Sequence, residues 1–352
     1  MKRIILPAAL AIFSFVCHAQ TEVAPYVAGK SADAVTYFLP RSVVEIEVEA
    51  EQVAYTPGEF CKYAERYLRL TNLPSQAETH WELVSIHAAS VGEPDPEQVY
   101  SVRLKDKSIA PLLGLTADGI IHTINLPAPK EPIAKTEPQP EGGRRPVNPR
   151  DYMTEEMLMA NSTARVAELV AKEIYNIRES RNAIIRGQAD NMPKDGEALK
   201  LMLAQLDEQE GVLMQLFTGT TVRQRTSVRL RLTPRQGLDK EVLFRFSRKL
   251  GVLDKDDLAG TPIYVSLTDL HTVPPYTLDE KSRKKPAGIV YNVPGQARLH
   301  IYNAAQTYVE QNIAVTQFGH QEILADDLFN KRTDTRVTFD IRSGALLHIG
   351  RE

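Results

Sequence analysis

The chain is poor in cysteine, with Cys17 and Cys61 the two present among 352 residues. Cys17 falls in an N-terminal segment that reads as removable. Cys61 would then stand alone, which excludes an internal disulfide and leaves the mature fold to rest on burial. Metal-binding spacings are missing too: the histidines are scattered, with no H-E-x-x-H and no clustered Cys/His pattern. There is no G-x-S-x-G elbow to present a nucleophile and no glycine-rich phosphate loop after a strand. No later segment reaches the roughly 20 apolar residues that a spanning helix needs. Basic excess is absent: 42 Lys and Arg face 45 Asp and Glu, a formal net charge of −3, so nothing calls for nucleic acid. No catalytic residue, metal ligand or cofactor is assigned.

What is present begins with a targeting layout. Lys2 and Arg3 precede an apolar run from Ile4 to Val16, and Cys17 and Ala19 set small residues before a cut after Ala19. The run is too short for a membrane anchor. Acylation at Cys17 fits poorly, because bulky Phe15 and Val16 come before it. The expected location is therefore periplasmic or at the cell surface.

The rest divides by composition. Residues 20–125 read as an N-terminal α+β domain. Val44, Ile46, Val48 and Ala50 alternate with Glu45, Glu47 and Glu49, the period of a strand with one wet face. Thr56, Pro57 and Glu59 resemble a helix start with a capping box. Strands are expected at Trp81–Ala88 and Gln98–Leu104 around a proline-bearing loop, Val91–Pro96, and again after the Asp118-Gly119 turn. From Pro127 to Pro149 come seven prolines and little apolar periodicity. Residues 126–151 are accordingly a linker.

Residues 152–218 read as a long antiparallel helical hairpin. Its first stripe is Val166, Val170, Ile174, Ile177, Ile184 and Ile185, interrupted at Arg181, from a start at Thr154 or near Ser162. Its second is Leu199, Met202, Leu206, Leu213 and Leu216, opened by Asp195 as N-cap. Two helices cannot cover both stripes, so the hairpin is expected to dock, most naturally on the sheet that follows. Residues 219–352 return to short strands and turns, a C-terminal β-rich domain, with a short helix at Glu322–Phe329. The fold class is α+β: two antiparallel β-rich domains of sandwich or open-barrel type with the hairpin between them. A faint internal similarity links Asp118-Gly119-Ile120-Ile121-His122 to Ser343-Gly344-Ala345-Leu346-Leu347-His348; chance among common hairpin signals explains it better than a duplicated domain.

Two charged features are candidate binding sites. Arg223, Arg225, Arg229 and Arg231 share one face of a strand and would suit an anionic glycan; a row of Glu45, Glu47 and Glu49 beside them would neutralise them instead. Asp190, Asn191 and Asp195 crowd the hairpin loop, where Asp195 is explained as a cap. Asp254, Asp256 and Asp257 lack the spacing of a calcium loop and read as a solvated turn.

Three stretches carry a resemblance: Ile177-Arg178-Glu179-Ser180-Arg181, the loop Ala189–Gly196, and Gln317-Phe318-Gly319 followed by Leu328-Phe329. With these, the chain resembles an uncharacterised family of exported Gram-negative bacterial proteins, known as a domain of unknown function. The resemblance spans most of the mature chain. It implies export and attaches no activity.

The expected function is that of a non-enzymatic binding or structural protein of the cell envelope. It would act through contacts to another envelope protein or a glycan, with the hairpin or a sheet edge as the surface. The alternative is a hydrolase that gathers carboxylates from distant parts of a β scaffold. Expressed in a Gram-negative host, protein recovered from the envelope fraction should begin at Gln20 by N-terminal sequencing; an intact Met1 would overturn the export reading.

Overall fold

A computed structural model describes residues 22–27, 34–103, 113–127, 147–188, 195–277, 279–280, 282, 288–325 and 335–351. The protein is β-rich, built from three antiparallel sheets. In the first, β1 (Glu22–Pro25), β3 (Glu78–Arg103), β2 (Ala34–Thr56) and β6 (Thr220–Leu232) lie in that order. In the second the order is β11 (Thr307–Ala325), β10 (Gly288–Tyr302), β9 (Thr261–Asp269), β7 (Leu238–Ser247) and β8 (Gly251–Leu253). The third runs β13 (Leu346–Arg351), β12 (Thr335–Phe339), β5 (Ile121–Ile124), β4 (Leu113–Leu115).

β2 and β3 have 23 and 26 residues, far beyond the usual 3–10. They are long because each serves two cores. Toward one end Val44, Ile46 and Val48 meet Phe244, Ile263, Val265, Leu299 and Val315 of the second sheet. Toward the other, Tyr37, Leu39, Tyr100 and Val102 meet Ile121, Val290, Val337 and Phe339. The alternation in the sequence is realised: Val44, Ile46, Val48 and Ala50 are buried and Glu45 is exposed. The buried Tyr37 hydroxyl, its titration pushed well above the ordinary range by burial, accepts from the Val290 amide at 3.0 Å and bolts β2 to β10.

Several local expectations change. The Val91–Pro96 stretch is strand within β3: Val91–Pro94 pair with Pro40–Val43 and Asp95 and Pro96 fall in a register step. Among the described residues β1 pairs with β3 only at Tyr100–Arg103, so Pro94 and Pro96 interrupt no ladder with β1. The helix start at Thr56 is not formed, since Thr56 pairs with Thr220 at the end of β2. Instead a 3-10 turn at Cys61–Tyr63 leads into α1 (Ala64–Leu68), with Phe60 in the cap position and no side-chain cap bond. Glu322–Ala325, expected as helix, ends β11 because Gly288–Tyr291 of β10 lie alongside; Leu328 and Phe329 lie outside the described residues.

The two β-rich stretches expected as separate domains contribute strands to shared sheets. β6 pairs with β2 over Val44–Thr56 and β12 pairs with β5. The reason is the helical excursion between them. α2 (Glu155–Met159) leads to α3 (Thr163–Ile185), capped by Ser162, and α4 (Gly196–Thr218), capped by Asp195, brings the chain back. Gly219, at φ +79°, then turns it straight into β6, with the Tyr55 hydroxyl donating to the Thr218 carbonyl at 3.0 Å.

The hairpin does not dock on the C-terminal sheet. Val170, Ile174, Leu213 and Phe217 pack with Phe60, Ala64, Leu68 and Met157 into a core of their own. The segment after β2 and the start of the helical stretch cover Val170, Ile174 and Ile177 of the first stripe and Leu206, Leu213 and Leu216 of the second, while Met202 stays exposed. Across the hairpin Arg178 reaches Glu210 at 2.6 Å, and Arg181 reaches Asp207 and Glu210 at 2.5 and 2.9 Å. The arginine that broke the apolar stripe therefore ties the two helices together.

At one point β10 and β11 approach so closely that a side chain has no room. A Cβ on Gly319 would fall on the Val293 carbonyl, which belongs to the backbone and cannot swing away. Gly319→Ala should cost about 1–3 kcal/mol, read as a lower denaturant midpoint with unchanged slope; wild-type stability would show the approach to be relaxed in solution.

Candidate functional site

Both long hairpins step out of register in the same way. In the first, Phe38 pairs with Val99 and Pro40 with Pro94, so one residue of β2 opposes the four residues 95–98 of β3. In the second, Val293 pairs with His320 and Gly295 with Val315, so one residue of β10 opposes the four residues 316–319 of β11. Each step is followed by a glycine turn that returns to the first strand: the Phe38 amide donates to the Gly119 carbonyl at 2.9 Å, and the Asn292 amide to that of Gly344 at 3.2 Å. The faint sequence similarity at those turns thus has a backbone counterpart. Bulges of this kind re-aim side chains and recur beside functional sites.

Between the two bulges lies a cleft of about 570 Å³, within the 300–1,000 Å³ usual for small-molecule sites. Its floor is a polar stitch. The Ser42 amide donates to Thr316 Oγ1 at 2.9 Å and the Thr316 amide to Ser42 Oγ at 3.0 Å, while Gln317 Nε2 donates to the Ser42 carbonyl at 2.8 Å. Buried Asn292 donates to the carbonyls of Pro40 and Ser343 at 2.9 and 3.1 Å. These side chains satisfy backbone groups that the register steps leave without ladder partners.

One wall carries side-chain amides. Gln98 Oε1 accepts from the Tyr100 hydroxyl at 3.0 Å and from Gln321 Nε2 at 2.9 Å. The other wall carries His320, whose Nε2 lies 3.1 Å from Glu322 Oε1, while the Tyr291 hydroxyl donates to Glu322 Oε2 at 2.6 Å. The ring of Tyr276, about half exposed, sits over the imidazole at 5.0 Å. Tyr291, then His320, hold the Glu322 carboxyl below its usual range. Burial, reinforced by that carboxylate, pushes the Tyr291 hydroxyl up.

Two cleft residues contain buried atoms without a hydrogen-bond partner, Arg41 Nε and His320 Nδ1. An unmade bond at a buried polar atom costs about 1–3 kcal/mol. One of these atoms is a donor. Ionised Glu322 only accepts, so His320 Nε2 carries a hydrogen, and when the ring is neutral Nδ1 is an acceptor. The cleft offers hydrogen bonds in both directions rather than an activated nucleophile: the Ser42 hydroxyl is fully buried in the floor. Among the described residues no three His, Cys, Asp or Glu side chains gather as a metal site.

The residues singled out from sequence lie elsewhere. Arg223 contacts Glu51 and Glu82 at 2.8 and 3.4 Å, Arg225 lies 3.9 Å from Glu49, Arg229 3.6 Å from Glu47, and Arg231 3.2 Å from Glu45 and 2.5 Å from Glu93. The row is neutralised by its neighbour strand; the Glu51 and Glu82 bonds raise the Arg223 pKa. All four arginine side chains are more than half exposed, so solvent screens each pair and none is a strong tie. Asp195 accepts from the Glu197 amide as a helix cap. Asp190 and Asn191 lie outside the described residues. Asp254 and Asp257 accept from the amides of Asp256 and Ala259 in a local turn.

Sequence reasoning missed Arg41, Gln98, Tyr276, Asn292, His320 and Gln321. The usable signals were Pro94 and Pro96 in one strand and Gly295 and Gly319 in the other two, which mark the bulges.

Fold and site together define a β-rich protein whose shared antiparallel sheets enclose a polar cleft. It belongs to the family described as Domain of unknown function (DUF4831), which it matches over residues 33–347. Comparison with characterised proteins and with solved structures gives no match. No helix among the described residues is long and apolar enough to cross a membrane.

The lowered Glu322 pKa fixes a pH dependence. A carboxyl with a depressed folded value stabilises above the ordinary value of 4.5, and that contribution fades as pH falls through the folded value. Because Glu322 is 45% exposed, solvent screening holds the effect to under about 0.5 kcal/mol. Denaturation midpoints should fall less steeply below pH 4.5 for Glu322→Gln than for wild type; identical acid limbs would contradict the assignment.

Proposed function

We propose that this is an exported, non-enzymatic binding protein of the cell envelope and that the cleft between the two bulges is its contact site. The observation that carries this reading is the cleft wall itself. Arg41 and His320 line it, and each carries a buried polar atom without a partner, which a ligand that displaces the neighbouring side chains would satisfy. The basic, apolar and small-residue order of the first 19 residues supports export. On this reading the finer architecture is two β modules joined at the cleft, with the helical hairpin as a third body. The hairpin is the weaker candidate for the contact surface because Phe60, Leu68 and Met157 already pack against most of its apolar stripes.

A thermal-shift screen of residues 20–352 against envelope components, glycan and protein, tests the reading. A ligand at a hundred times its Kd adds about 2.7 kcal/mol, which should raise the Tm of wild type by several degrees and leave Gln98→Ala/Gln321→Ala unmoved. Equal shifts in both proteins, or none in wild type, would refute it.

A second reading, hydrolysis, is favoured by one observation: Asp95 and Glu97 both line the cleft. Asp95 Oδ1 is engaged by the Glu97 amide at 3.0 Å, which fits a turn better than an acid–base pair.

A further inference from the structure

The cleft's own chemistry narrows the class of ligand, an inference that rests on the cleft being the binding site. The Nε of Arg41 donates and the Nδ1 of His320 accepts, and each is buried without a partner. The His320 side chain is 9% exposed. A phosphate or carboxylate would serve the arginine and leave the histidine lone pair unmet. An ammonium would do the reverse. A hydroxyl both donates and accepts, so a polyhydroxylated ligand meets both requirements.

Charge points the same way. The Arg41 guanidinium is already held by Glu93 at 3.2 Å, and Asp95 and Glu97 lie on the same wall. The site therefore has no surplus positive charge to hold an anion. Gln98 and Gln321 add neutral groups able to serve hydroxyls. Tyr276 presents a ring about half open to solvent beside His320, a flat apolar surface for the C–H face of a pyranose.

We infer that the cleft binds a short neutral oligosaccharide, with Tyr276 as the stacking platform and Arg41 and His320 as the donor and acceptor for its hydroxyls. Both atoms are buried, so contact with them requires the side chains around them to shift when the ligand binds.

Calorimetric titration of residues 20–352 tests this with short neutral oligomers of glucose, mannose and N-acetylglucosamine. Oligogalacturonate and neutral tripeptides serve as parallel probes. At least one neutral oligomer should bind. Tyr276→Ala should weaken it about tenfold and Tyr276→Phe should change it by no more than about twofold. His320→Phe, which keeps the ring contact but removes the lone pair, should also weaken it. Circular dichroism confirms that each variant is folded. If oligogalacturonate or a tripeptide binds instead and Tyr276→Ala weakens it, the neutral-glycan class is overturned while the cleft stands as a site. If a neutral oligomer binds but neither Tyr276→Ala nor His320→Phe affects it, the cleft itself is overturned. If no probe binds, the inference is overturned.

Discussion

The structure depends on how two long β-hairpins tolerate being broken in the middle. A continuous ladder from Ala34 to Thr56 would be too straight and twisted to serve two cores. The register step at Phe38 and Pro40 lets β2 change course between them, and the step at Val293 and Gly295 does the same for β10. Each step strands backbone amides and carbonyls in the interior. Ser42, Asn292, Thr316 and Gln317 satisfy them with side chains from the opposite hairpin. The stitch that makes the bend affordable also fixes the two bulges face to face, and the cleft follows from that placement.

The helical hairpin is a consequence of the same economy of sheets. The first sheet needs β6 beside β2, yet β6 comes more than a hundred residues later in the chain. α3 and α4 carry the chain out and back, and their apolar stripes close on the short helical segment that leaves β2. Phe60 against Phe217, with ring centroids 5.6 Å apart, joins the departure from β2 to the return into β6. The hairpin core thus sits at the junction whose geometry sets the β2–β6 register.

The parts legible in the sequence were those governed by local periodicity. Val44, Ile46 and Val48 announced their strand, Asp195 its cap, and the glutamate row its arginine partners, because each signal is set by neighbours within a few residues or by a simple repeat. The cleft was not legible. Gln98 and Gln321 are 223 residues apart and meet only because two bulges of equal size face one another. Thr56 looked like a helix cap until a strand from beyond the hairpin took it into a ladder. The Val91–Pro96 run looked like a loop because the pairing of Val91–Pro94 is set by β2, a strand far away in the chain. His320-Gln321-Glu322 matched no motif because its chemistry is completed by Tyr291 and Tyr276 from other strands and segments.

The arginine row and the cleft, which the sequence presented as unrelated, are electrically continuous. Along β2 and β6 the charges cancel pair by pair, from Glu51 and Arg223 at one end to Glu45 and Arg231 at the other. Arg231 also reaches Glu93 at 2.5 Å, and the other oxygen of Glu93 holds Arg41 at the cleft. The pair engages one of the two terminal nitrogens, Nη2, with Glu93, while Nε, the nitrogen nearer the stem, has no partner. The row is therefore linked to the cleft through one carboxylate, Glu93, which faces Arg231 on one side and Arg41 on the other.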